Sequence, residues 1–135
     1  MSTKQTIAIF SAVLIALALS TTLVGFVTSV SAQGGSNVSI VSGAETLADK
    51  AFSPNPMNVK VGDTVTWTNG DSQAHTVTSG KGESDPDKGK VFDSSPNFNP
   101  LLAPKQTFQH KFTTAGNFPY FCQVHPTMIG TVVVS

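Results

Sequence analysis

Apolar and polar residues alternate along much of the chain beyond residue 57. Residues 64–68 (TVTWT) put Val65 and Trp67 on one face and three threonines on the other. That period of two is the mark of a half-buried strand, and valine, threonine and tryptophan all suit a pleated surface. The pattern returns near the C-terminus. Phe108, His110 and Phe112 share one face, and so do Phe118, Tyr120 and Cys122, with Phe121 turned the other way. Residues 130–134 read as the last strand, and 38–41, 52–54, 58–61 and 75–78 as shorter ones, with His75 and Val77 on one face. Turn-forming residues separate them at Gly62-Asp63, at 69–72 (NGDS) and at Ala115-Gly116. About eight short strands predict an all-β sandwich. Trp67, Phe108, Phe112, Phe118 and Tyr120 are its expected core.

The first third of the chain follows a different pattern. Residues 7–19 are a nearly unbroken apolar run, and no charge lies between Lys4 and Glu45. A short positive start, an apolar run and the small residues Val30-Ser31-Ala32 read as a signal peptide over 1–32. Residues 7–27 are also long enough to span a bilayer as an N-terminal anchor. Either version places the rest of the chain outside the cytoplasm, because Lys4 keeps the N-terminus inside. Residues 33–51 open with QGGS, a flexible tether, and hold the candidate first strand. Asn37-Val38-Ser39 is a glycosylation sequon, a weak signal. The remaining domain is expected at 52–135.

Composition narrows the chemistry. The formal net charge is zero and charged residues make up 12%, so there is no basic footprint for nucleic acid. A single cysteine excludes an internal disulfide and the common zinc fingers. Residues 80–90 balance acids and lysines without the spacing of a calcium loop and read as a solvated loop. No catalytic triad, phosphate loop or acid–base carboxylate pair is visible.

The lone cysteine lies in residues 118–128 (FPYFCQVHPTM), where Cys122, His125 and Met128 are three residues apart in turn. Thiolate, imidazole and thioether form a soft donor set. His75 lies far upstream. Two histidines, one cysteine and a weak axial methionine match the ligands of a blue copper site. His110 alternates with aromatics and reads as a half-buried histidine, not a ligand.

This constellation, with the strand around Trp67, resembles the cupredoxins, the type 1 blue copper proteins, over about residues 52–135. The short ligand loop is similar to that of the amicyanins, and plastocyanin-type loops are longer. The resemblance implies a Greek-key barrel, one copper per chain held by His75, Cys122, His125 and Met128, and one-electron transfer with redox partner proteins. It implies that Thr76 hydrogen-bonds across to the cysteine loop. It also implies that His125 reaches the surface inside an apolar patch, with Phe121 as a second, lower-ranked port. Residues 91–94 and 101–102 resemble a segment of bacterial and archaeal members, and 96–100 an insertion in it. The expected protein is a monomeric carrier and not an enzyme. Copper storage or delivery is the alternative, and an enzyme with an open metal position would require that Met128 not bind.

Overall fold

The computed structural model describes residues 35–135. Eight strands form two four-stranded sheets. In chain order they are β1 (Ser36–Ile40), β2 (Phe52–Ser53), β3 (Met57–Val59), β4 (Thr64–Asn69), β5 (Thr78–Ser79), β6 (Thr107–Lys111), β7 (Gly116–Phe121) and β8 (Ile129–Val134). One sheet runs β2-β1-β4-β6 and the other β3-β8-β7-β5. The pairs β1–β4 and β3–β8 are parallel, and the remaining pairs are antiparallel. The expected all-β sandwich is what forms.

Strand β4 shows why. Val65, Trp67 and Asn69 are buried, while Thr64, Thr66 and Thr68, which alternate with them, are half-buried. On its neighbours, Val38 of β1 and Phe108 of β6 stand in register with Trp67. The Trp67 ring lies 5.4 Å from Phe92 and 5.4 Å from Tyr120, with Phe108 at 5.8 Å and Phe112 at 6.5 Å. Edge-to-face and tilted pairs of this kind add about 0.5–1.5 kcal/mol each beyond the area they bury. Phe52 closes the cluster against Tyr120 at 4.8 Å. With no disulfide possible, this aromatic core ties the two sheets together.

Several details differ from the expectation. The candidate first strand is present as β1, but it lies inside its sheet between β2 and β4, ahead of the expected domain start at residue 52. Residues 75–77 form no regular strand. His75 makes a single bridge with Leu102, its N–H donating to the Leu102 carbonyl at 3.1 Å and its carbonyl accepting in return at 2.9 Å. Val77 N–H donates to Ser94 Oγ at 2.8 Å. Loop groups thus replace strand partners, and only Thr78–Ser79 remain in the sheet. Residues 91–106 reach the core at two points. Phe92 and Leu102 are buried in the core, and Ser79 Oγ accepts from the N–H groups of Val91 and Phe92.

Phe121 is fully buried, which corrects its ranking as a second exposed port. It stands between Thr78 of β5 and Ile129 of β8 in the sheet register. The expected signal peptide or anchor over 1–32 lies outside the described residues. Among the described residues no helix is long and apolar enough to cross a membrane.

Candidate metal centre

Cys122 directly follows β7, and Ile129 opens β8 opposite Phe121. The loop between them is therefore closed at its base by sheet pairing. It is tightened from within: Cys122 N–H donates to the Met128 carbonyl at 3.1 Å, and Met128 N–H to the His125 carbonyl at 2.9 Å. These bonds fold the loop back on itself and bury Cys122 and Met128 completely, while His125 stays half-buried.

His75 enters from the segment before β5. Its Nδ1 lies 3.7 Å from Cys122 Sγ and 3.2 Å from His125 Nδ1, and His125 Nδ1 lies 4.0 Å from Sγ. A point equidistant from the three atoms is about 2 Å from each, a bond length typical of nitrogen and sulfur donors on a first-row metal. Two imidazole nitrogens facing each other at 3.2 Å cannot both carry protons, so at least one presents a lone pair to the cluster. Met128 is fully buried on the same short loop. The donor chemistry therefore fits copper.

The cysteine environment favours the thiolate. Burial pushes the Cys122 thiol up, but the contact with the His75 ring and the hydrogen bond from the Thr76 N–H outweigh it and bring the pKa below the ordinary value. The Thr76 N–H donates to Sγ at 3.3 Å, and the Thr76 hydroxyl oxygen accepts from the Gln123 N–H at 2.8 Å. The expected bond from Thr76 to the cysteine loop is present. The Gln123 side chain extends the network, donating to Thr78 Oγ1 at 2.8 Å, and Thr78 Oγ1 lies 3.0 Å from Asp93 Oδ1.

Asp71 escaped the sequence reading. Its Oδ2 accepts from His75 Nε2 at 2.8 Å, and this fixes the tautomer that leaves Nδ1 free to face the cluster. The residues Asn69-Gly-Asp-Ser72 read only as turn chemistry, and an acid four places before a ligand-type histidine was the available signal. His75 holds the Asp71 carboxyl down at about 2. For His75 itself, burial disfavours the charge, but Cys122 and Asp71 together raise its pKa above the usual value. His110 is not in the cluster. It packs on Phe112 at 4.8 Å and Phe92 at 5.0 Å, and burial depresses its pKa.

Asp71 gives a pH prediction for the metal-free protein. Its folded pKa lies below the unfolded value of 3.8. The stability it contributes is therefore present above pH 3.8 and lost as pH falls towards 2, an effect on the order of 1–2 kcal/mol. Urea midpoints across that window are expected to fall for the wild type, and less steeply for Asp71→Asn. Equal slopes would show that Asp71 titrates alike in the folded and unfolded chains.

Two facing sheets with a His–Cys–His cluster at the end of β7, two of its three members buried, define a cupredoxin-type copper protein. Comparison with known proteins agrees. Residues 37–135 match the family described as copper binding proteins, plastocyanin/azurin family, and the chain belongs to that family, with copper as its cofactor. It is 34% identical over 88 residues to amicyanin of Paracoccus denitrificans, covering 65% of this chain and 61% of that protein. It is 32% identical over 100 residues to plastocyanin of Scenedesmus fuscus, covering 73% and 99%. Among solved structures, a purple cupredoxin from Nitrosopumilus maritimus aligns with a TM-score of 0.63 at 32% identity, covering 74% of this chain and 99% of that one. The alignments with amicyanin and with plastocyanin of Tetradesmus obliquus span 61% and 57% of those proteins' lengths.

Proposed function

We propose that the protein is a one-electron carrier whose copper is held by His75, Cys122, His125 and Met128. The observation that carries this is the convergence of His75, Cys122 and His125 ligand atoms within 4.8 Å of one another. Bound copper supplies the Cu(I)/Cu(II) couple. The chain supplies a donor set acceptable to both states, tied to the sheets so that neither state requires large rearrangement. Cys122 and Met128 are buried, which argues against a storage or delivery module that must hand its metal over, and against an open position for a substrate. We read the protein as a carrier and not an enzyme.

The edge offered to partners is His125. Val124 beside it is half-buried, Pro126 and Thr127 are exposed, and Ile129 is 47% exposed. Val124, Pro126 and Ile129 thus offer apolar surface on the loop that carries His125, the half-open member of the cluster. Phe121 is buried, so it offers no second way in. Residues 1–32 are taken as a signal peptide or anchor that places the folded unit outside the cytoplasm, free or tethered, as a monomer serving donor and acceptor proteins. Without Lys4 the lysines number seven against eight acids, so long-range steering is weak.

The test is self-exchange of the copper-loaded protein. Val124→Asp puts a charge on this apolar surface and is expected to slow exchange at least tenfold while leaving the visible spectrum nearly unchanged. The wild-type rate is expected to vary little with salt. A Val124→Asp rate equal to wild type would move the port elsewhere.

A further inference from the structure

Asp71 is a buried carboxylate, 4% exposed, one hydrogen bond away from the cluster. All of the carboxylate's hydrogen-bond partners are donors. Oδ1 accepts from the N–H of Gly43 at 3.1 Å and of Ser72 at 2.7 Å, and Oδ2 accepts from His75 Nε2 at 2.8 Å. Its own N–H donates to Asn69 Oδ1 at 2.9 Å. The Asn69 amide in turn donates to the carbonyls of Gln73 at 2.7 Å and Leu102 at 2.8 Å. The carboxylate is therefore fixed from three segments: the loop after β1, the turn after β4, and the segment bearing His75.

A carboxylate surrounded only by donors is held as the anion. Its charge sits in a water-poor site where electrostatic interactions are strong. Through Nε2–H it makes the imidazole a better donor at Nδ1, the nitrogen facing Cys122 and His125. Both effects favour the metal state of higher charge. We propose that Asp71 is a positioning residue that sets the redox balance of the site: it holds His75 with Nδ1 facing Cys122 and His125, and it stabilises Cu(II) over Cu(I). This rests on the copper reading of the cluster.

Asp71→Asn removes the charge at nearly constant shape, and its Oδ1 can still accept one of the former donors. The measurements are Cu(II) and Cu(I) affinities by chelator competition, and the reduction potential by redox titration. The variant is expected to keep the thiolate absorption and to lose about tenfold or more in Cu(II) affinity, within the 10–100-fold range seen when such outer partners are removed. Cu(I) affinity should fall less. Each tenfold of difference raises the potential by about 59 mV for one electron. Asp71→Glu, which keeps the charge, should recover part of the shift. An unchanged potential, with both affinities altered equally, would reduce Asp71 to a structural residue. If Asp71→Asn does not fold, the wild-type Cu(I) protein still decides. Its His75 Nε2 proton should be visible by nuclear magnetic resonance and slow to exchange, and a deprotonated or rapidly exchanging Nε2 would overturn the proposal. A wild type that shows no thiolate band with copper would defeat the copper reading itself, whereas a blue wild type with an unshifted Asp71→Asn defeats only this inference.

Discussion

Cys122→Ser is expected to abolish the intense thiolate-to-copper absorption and leave the sandwich folded. The substitution removes the one thiolate in the chain. Two imidazoles and a thioether would remain, a weaker set that gives an ordinary Cu(II) spectrum. The fold does not depend on this sulfur, because the ring cluster around Trp67 and the paired strands lie outside the ligand loop. A serine oxygen can also accept from the Thr76 N–H that Sγ accepts from at 3.3 Å. Circular dichroism and thermal unfolding of the metal-free variant should resemble wild type, while the visible band is lost. A Ser variant that stayed blue would place the copper elsewhere.

Gly130→Ala is expected to destabilise the protein by about 2–3 kcal/mol or more, the scale of overpacking a tight core. Gly130 stands opposite Tyr120 in the β7–β8 pair. A methyl group there would lie 2.5 Å from the tyrosine hydroxyl and closer still to the ring. The ring cannot swing away, because Phe52 at 4.8 Å, Trp67 at 5.4 Å and Phe92 at 6.2 Å enclose it. Urea unfolding measures the loss. The same substitution in a Tyr120→Leu background should cost less, and the difference gives the coupling of the two positions. A Gly130→Ala midpoint close to wild type would show that the ring does not lie against the glycine.

Features set by local spacing were legible in the sequence. The alternation of Val65 and Trp67 gave β4, and the three donors within residues 122–128 gave the ligand loop. Distant placement was harder. The link from Thr76 to the cysteine came only through family resemblance, since nothing in its neighbours shows that its N–H points at sulfur. The alternation of β7 turned Phe121 away from the core. Its burial depends on what covers the other side of that sheet, which strand periodicity does not specify. Residues 75–78 have strand composition, yet side chains and loop carbonyls satisfy most of their backbone groups. Asp71 sits in ordinary turn sequence, and its role arises only when the turn brings its carboxylate to His75 Nε2. Phe92 joined the core from a segment without period, so its packing with Trp67 is tertiary information.

The most direct test of the central claim is a copper titration of the folded protein followed by visible absorption. Binding of one copper per chain, with an intense band towards the red end of the spectrum that disappears on reduction and returns on reoxidation, is the predicted result. A weak Cu(II) spectrum without thiolate charge transfer, or saturation far from one copper per chain, would contradict the His75–Cys122–His125–Met128 site.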